Sequence, residues 1–109
     1  MILAILVIKP LTGKKKEVLD IFQSMTENLN VKHGCMGARV YVSHGKEERI
    51  LYMEHWAERE LFHRHVQSDL YLRILAAMEL SEVTPQVQFH EFYSLQGIEL
   101  IRTLRRSSE

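Results

Sequence analysis

Glu54 and His65 have the chemistry to take a proton from a bound molecule, and Tyr52 and Trp56 are aromatic residues close to them in the sequence. In a strand, side chains alternate between faces, so Tyr52, Glu54 and Trp56 would share one face. His65 follows Phe62 by three residues, which places both on the inner face of a helix. A neutral imidazole can accept a proton from a phenol or enol near neutral pH, and a carboxylate can fix its tautomer. The pattern predicts a catalytic pair of His65 as base and Glu54 as its orienting partner.

Structural roles are open for the same residues. His65 could bond a backbone carbonyl or Glu54 and so orient its helix on a sheet, because buried polar groups need partners. Glu54 could instead hold an arginine such as Arg59. Trp56 could fill the edge of the sheet, since large aromatic residues dominate core packing. Both interpretations require Glu54 to face the helices.

The remaining titratable residues do not form a recognisable metal or cofactor motif. His63 and His65 are two positions apart on a helix, about 200° around its axis, and cannot hold one ion together. The other four histidines fall in different predicted elements, and Cys35 has no Cys-x-x-Cys partner. Phosphate-binding and nicotinamide fingerprints are missing from the sequence. We therefore predict no metal and no organic cofactor.

Composition limits the class of protein. The 109 residues are 46% hydrophobic and 26% charged, as expected for one soluble globular domain. Lys and Arg number 14, as do Asp and Glu, so no net charge favours nucleic acid or an anionic membrane. The apolar run Ile2 to Ile8 is too short to cross a membrane. A single cysteine fits a reducing compartment, and we expect a cytoplasmic protein.

Hydrophobic periodicity predicts six elements that would position these residues. Val18, Phe22, Met25 and Leu29 recur at helical spacing, and Thr12 is a candidate cap for that helix. The helical pattern after Ala57 should bend or restart near Ser68. The predicted elements are a strand Met1 to Lys9, the Val18 helix, strands Ala38 to Ser43 and Arg49 to Trp56, the helices from Ala57, and a strand Val87 to Tyr93.

The order strand, helix, strand, strand, helix, strand predicts a ferredoxin-like α+β domain with an antiparallel sheet. Its helices cover one face of the sheet, whereas the apolar first strand indicates burial on both faces. An uncovered apolar face is typical of an interface, so we expect a homodimer. We assign residues 1–95 to the domain and residues 96–109 to a C-terminal extension, either a short helix or an arm onto a partner.

Several motifs in this order resemble the antibiotic biosynthesis monooxygenase family over roughly Met1 to Tyr93. They are the apolar first strand ending in Lys9-Pro10, the segment Gly34-Cys35-Met36-Gly37, Tyr52-x-Glu54-x-Trp56, and a helix with His65 and Ser68. The resemblance implies a dimeric α/β barrel that oxygenates an aromatic, quinol or polyketide-like substrate with O2 and no cofactor. It also implies substrate-binding roles for Trp56, Tyr52, Phe62 and Met53.

Two alternatives follow from the same resemblance. A related branch degrades haem, but its pattern needs an Asn on the first strand and a His in the later helix, which this sequence lacks. The second alternative is a non-catalytic module that binds a small molecule or a partner on the same barrel, because one fold hosts many functions.

Overall fold

A computed structural model describes residues 1–107 and shows the ferredoxin-like order predicted from the sequence. Residues 108–109 of the C-terminal extension lie outside the described part. The elements are β1 (Ile2–Ile8), α1 (Lys15–Leu29), β2 (Cys35–Val42), β3 (Ile50–Trp56), α2 (Arg59–Val66), a 3₁₀ turn (Asp69–Tyr71), α3 (Leu72–Glu79), β4 (Gln86–Glu91) and α4 (Ile98–Ser107).

The four strands form one antiparallel sheet in the order β2-β3-β1-β4. The register pairs Ala4 of β1 with Glu54 of β3 on one side and with Phe89 of β4 on the other. Because side chains alternate, these three residues lie on the same face of the sheet. This face is covered by α1, α2 and α3, and we call it the helix face.

The core lies between the helix face and the three helices that cover it. Val18, Phe22, Met25 and Leu29 of α1 are fully buried, as the sequence pattern predicts. Phe22 stacks on Tyr52 of β3 with ring centroids 4.6 Å apart. This packing fixes α1 over the side of the sheet formed by β2 and β3, and it holds the Tyr52 ring in place.

The helical region after β3 is interrupted, as predicted, near Ser68. The Ser68 backbone is extended, and its hydroxyl donates to the His65 carbonyl over 2.6 Å at the end of α2. The chain then passes through the 3₁₀ turn into α3. The predicted cap at Thr12 was wrong, because α1 is preceded by Lys14 and has no side-chain cap within residues 1–107.

The face opposite the helices is largely apolar and only partly buried in the single chain. Its side chains on the two central strands are Leu3, Ile5, Val7, Leu51, Met53 and His55.

The last strand ends earlier than predicted, at Glu91 rather than Tyr93.

The C-terminal helix α4 carries a row of exposed apolar residues. Ile98 and Ile101 are each 58% exposed. The radius of gyration is 16.4 Å, whereas a compact domain of this length has about 13 Å.

Within residues 1–107, no helix has both the length and the apolar character needed to cross a membrane.

Gly34, which precedes β2, gives a test of how α2 sits on the sheet. Its φ is +88°, and a Cβ there would lie 2.3 Å from Leu61 Cδ1; Gly13 has a similar φ of +81° but open space around it. We expect Gly13→Ala to lower the free energy of unfolding by about 1–2 kcal/mol through backbone strain. Gly34→Ala should cost about 1–3 kcal/mol more, because Leu61 must move.

Urea unfolding of both variants measures the difference. In a Leu61→Ala background the additional cost of Gly34→Ala should disappear, since the clashing side chain is gone. Equal losses for Gly13→Ala and Gly34→Ala in the native background would contradict this packing of α2.

Candidate active site

A buried carboxylate with three hydrogen-bond donors lies at the centre of the helix face. Glu54 on β3 is 1% exposed. The Tyr52 hydroxyl donates to Glu54 Oε2 over 2.6 Å, and Trp56 Nε1 donates to Oε1 over 2.9 Å. His65 Nε2 from α2 lies 3.0 Å from both oxygens. An ionised carboxylate is acceptor-only, so three surrounding donors match its ionised form.

These contacts define the tautomer of His65, which is also 1% exposed. Because the carboxylate oxygens only accept, Nε2 must carry the hydrogen. In the neutral ring, Nδ1 is then an acceptor, and no hydrogen-bond partner for it exists within residues 1–107.

Aromatic side chains enclose the imidazole on two sides. The Trp56 ring stacks against it with centroids 4.8 Å apart and planes inclined by 29°. Tyr71, from the 3₁₀ turn, meets it edge-on at 5.2 Å. The stacking and the Glu54 bond together hold His65 in one orientation.

A small cavity lies beside this cluster, between the sheet and α3. Its free volume of about 20 Å³ has room for roughly one water molecule. The side chains and backbone around it come from Ala4, Ile5, Leu6, Tyr52, Glu54, Tyr71, Ile74, Met78, Val87 and Phe89. Glu54 therefore borders the cavity, whereas His65 lies behind it.

Burial changes the acidity of the neighbouring hydroxyl and thiol groups. Desolvation, reinforced by the charge of Glu54 and the bond to it, raises the pKa of Tyr52 far above its usual 10.0. Desolvation and the Glu54 charge also raise the pKa of Tyr71. Burial raises the pKa of the Cys35 thiol, which keeps it protonated and a poor nucleophile. Both tyrosines thus remain donors near neutral pH.

The structure brings together four of the six predicted site residues: Tyr52, Glu54, Trp56 and His65. Phe62 lies at the margin, 5.4 Å from the ring of Phe89, and borders a separate open hollow on the surface. Met53 is on the opposite face of the sheet, where the strand register pairs it with Ile5. It cannot line the cavity beside Glu54 in this chain.

Arg59 and His63 also have defined positions. Arg59 forms an ion pair with Glu91 at the surface, so the alternative pairing of Arg59 with Glu54 is not found. His63 is exposed on α2, as its spacing from His65 predicts. Within residues 1–107, no group of three or more His, Cys, Asp or Glu side chains is arranged to hold a metal ion.

Tyr71 is a cavity residue that the sequence interpretation missed. It precedes Ile74 by three residues and Met78 by seven, so the three share one helical face. That spacing was the available signal. The inward position of Tyr71 could not be predicted, because the helical pattern is interrupted at Ser68. The direction of a residue in a turn between helices depends on how the second helix starts.

Comparison with known proteins identifies related sequences and folds. Residues 1–77 match the family described as Antibiotic biosynthesis monooxygenase. No protein of curated function matches the sequence significantly.

Solved structures show the same fold at low sequence identity. Rv0793 from Mycobacterium tuberculosis has a TM-score of 0.76 and 16% identity, covering 88% of this chain and 98% of its own. A conserved protein from Methanosarcina mazei Go1 has a TM-score of 0.74 and 18% identity, with 84% and 92% covered. A structure named antibiotic biosynthesis monooxygenase has a TM-score of 0.73 and 13% identity, with 86% and 100% covered.

The raised pKa of Tyr52 predicts a specific loss of stability in alkaline solution. The unfolded phenol ionises near pH 10.0, but the folded one does so at higher pH. Stability from this group is therefore complete below about pH 10 and declines above it, by up to about 1.4 kcal/mol per pH unit. Tyr52→Phe should flatten the decline measured by urea unfolding between about pH 9 and 11.

Tyr41→Phe, on an exposed side chain of β2, is the matched control. We expect this variant to keep the slope of the native protein. Identical slopes for the Tyr52→Phe variant and the native protein would show that Tyr52 does not ionise with the predicted difference.

Proposed function

Because the chain belongs to the antibiotic biosynthesis monooxygenase family, we propose that it oxygenates a small aromatic, quinol or polyketide-like substrate with O2 and without a cofactor. One observation carries the proposal: the Glu54–His65 pair is buried at the edge of an apolar cavity. A cofactor-independent oxygenase needs a base, exclusion of water and a donor for developing negative charge. Groups suited to each task surround this cavity.

The two members of the pair have different roles in this proposal. Glu54 borders the cavity and is the first acceptor that a substrate hydroxyl would reach. His65 Nε2 lies 3.0 Å from both carboxylate oxygens, so its N–H can stabilise the carboxylate before transfer and keep it in position afterwards. The base assigned to His65 from the sequence is then Glu54, which would contact the substrate, with His65 as its hydrogen-bond partner.

The reaction balances without any added reductant. For a phenol that becomes a quinone, the O–H proton passes to the pair and the electron-rich ring carbon forms a bond to O2. The C–H bond at that carbon and the O–O bond then break. One oxygen atom becomes the new carbonyl, and the other leaves as water with the two substrate hydrogens. The substrate supplies all four electrons.

Substrate entry must enlarge the cavity. Sites for organic ligands commonly measure about 300–1,000 Å³, well above the free volume here. Phe89 forms part of the wall and is 54% exposed on β4, which is an edge strand paired with β1 in the described part of the chain. Rotation of Phe89, together with the flexible Met78 side chain, would open this wall.

We also propose that two chains associate through the apolar face of the sheet. Members of this family are commonly dimeric. The half-buried side chains of β1 and β3 on this face would be covered by a second sheet, which would form the predicted barrel. We propose that residues 1–95 form the domain that carries the site and that residues 96–109 form a C-terminal extension. We also propose that the protein is located in the cytoplasm.

Oxygen uptake over a panel of hydroquinones and anthrones tests the function. We expect Glu54→Gln and His65→Gln each to lower kcat/KM by about 10²–10⁴-fold, the usual contribution of a positioned base. With ¹⁸O2, mass spectrometry should find one labelled oxygen in the product. His63→Gln, an exposed histidine on the same helix, is the control and should retain native activity.

Two results would contradict the proposal. A native rate of oxygen uptake in Glu54→Gln would show that the Glu54–His65 pair takes no part in the reaction. No uptake with any compound, together with unchanged ligand affinity in His65→Ala, would favour the non-catalytic binding module.

The dimer is tested by mass in solution. One chain has a mass of 12.8 kDa, and light scattering should give twice that value at micromolar concentration. Met53→Lys should shift the mass towards one chain because it places a charge on the apolar face. Glu27→Lys on the exposed side of α1 is the control and should stay dimeric. A native monomer would contradict the interface.

A further inference from the structure

The cavity contains one polar side chain whose hydroxyl has no hydrogen-bond partner. Tyr52, Glu54 and Tyr71 are the residues around it with polar side-chain atoms. The Tyr52 hydroxyl is occupied by Glu54, whose oxygens accept from three donors. The Tyr71 hydroxyl has no hydrogen-bond partner within residues 1–107, and it is accessible to solvent rather than fully buried. A ligand in the cavity would therefore meet a carboxylate acceptor and one unused donor.

The Tyr71 ring is held in a defined position, although its hydroxyl has no partner among the described residues. Its backbone N–H donates to the Ser68 carbonyl over 3.2 Å, and Ser68 is itself bonded to the His65 carbonyl. Its ring meets His65 edge-on. The interruption between α2 and α3 thus turns this side chain towards both the imidazole and the cavity. Preorganised donors of this kind stabilise charge that develops on a ligand.

The charges around the cavity restrict the ligand. No Lys or Arg borders it among the described residues, and its other walls are apolar. A ligand that is already anionic would meet the carboxylate of Glu54 without a compensating cation, which is costly between apolar walls. A neutral hydroxyl can instead donate to Glu54 and accept from Tyr71 through the same oxygen.

We propose that the cavity selects a neutral, largely apolar phenol or enol, and that Tyr71 donates a hydrogen bond to its oxygen. When the ligand O–H bond breaks, the proton passes to the Glu54–His65 pair and the electron pair stays on the oxygen. Tyr71 keeps its own proton and stabilises that oxygen anion. This assignment rests on the proposed function, because it concerns the same cavity, and it adds the donor that the reaction requires.

Binding of two matched probes without O2 tests the role of Tyr71. The probes are 1-naphthol and naphthalene, which share a ring system but differ by one hydroxyl. Trp56, the only tryptophan, donates to Glu54 and reports binding by its fluorescence. We expect Tyr71→Phe to weaken 1-naphthol about three- to tenfold, the effect of one hydrogen bond, and to leave naphthalene unchanged. Tyr41→Phe is the control and should change neither affinity.

The remaining outcomes overturn the assignment in distinguishable ways. Equal weakening of both probes in Tyr71→Phe would mean that Tyr71 only shapes the cavity. An unchanged affinity of Tyr71→Phe for 1-naphthol would show that Tyr71 does not donate a hydrogen bond to the ligand. Tighter binding of 1-naphthoate than of 1-naphthol would contradict selection of neutral ligands, and no binding of 1-naphthol would remove the site. The failure of the oxygenase alone looks different: 1-naphthol binds in a Tyr71-dependent manner, but no hydroquinone or anthrone consumes O2.

Discussion

The arrangement of β3 and α2 depends on one buried carboxylate. A carboxylate removed from water is destabilised by several kcal/mol unless donors replace the lost hydration. Glu54 has three, the Tyr52 hydroxyl, the Trp56 indole and the His65 imidazole. Two come from its own strand, where alternation places them on either side of it, and the third comes from α2. Strand register, helix position and histidine tautomer are thereby coupled, and a change in one disturbs the others.

The same coupling holds the proposed catalytic pair in place. A carboxylate that accepts from three fixed donors is held in place, and its partner His65 keeps one nitrogen without a partner in the described chain. The cavity touches Glu54 and Tyr71 but is otherwise apolar, so a bound hydroxyl would face an acceptor and a donor between apolar walls. The account of function rests on this juxtaposition. The family match supports the proposed oxygen chemistry, and the solved structures of low identity show the fold alone.

The sequence predicted the elements that depend on local pattern. Period-two alternation predicted that Tyr52, Glu54 and Trp56 share one face of the sheet. Helical spacing predicted that His65 lies on the inner face of its helix. Tertiary geometry was harder to predict. The sequence pattern did not show that Glu54, rather than His65, would border the cavity. The cavity lies between the sheet and α3, so the residues that border it depend on how α3 packs. Met53 was assigned to the wall through family resemblance, although its alternation with Glu54 places it on the other face. The role of Tyr71 depends on a 3₁₀ turn whose geometry no single propensity predicts.

The central claim is that the Glu54–His65 pair takes a proton from a bound hydroxyl while Tyr71 stabilises the resulting anion. The absorption spectrum of bound 4-nitrophenol tests it most directly, because the neutral and ionised forms of this compound absorb at different wavelengths. At a pH where the free compound is mainly neutral, the account predicts that the native protein binds it as the phenolate and that Glu54→Gln binds it in the neutral form. A neutral spectrum in the native complex would contradict the claim, as would a phenolate spectrum that persists in Glu54→Gln.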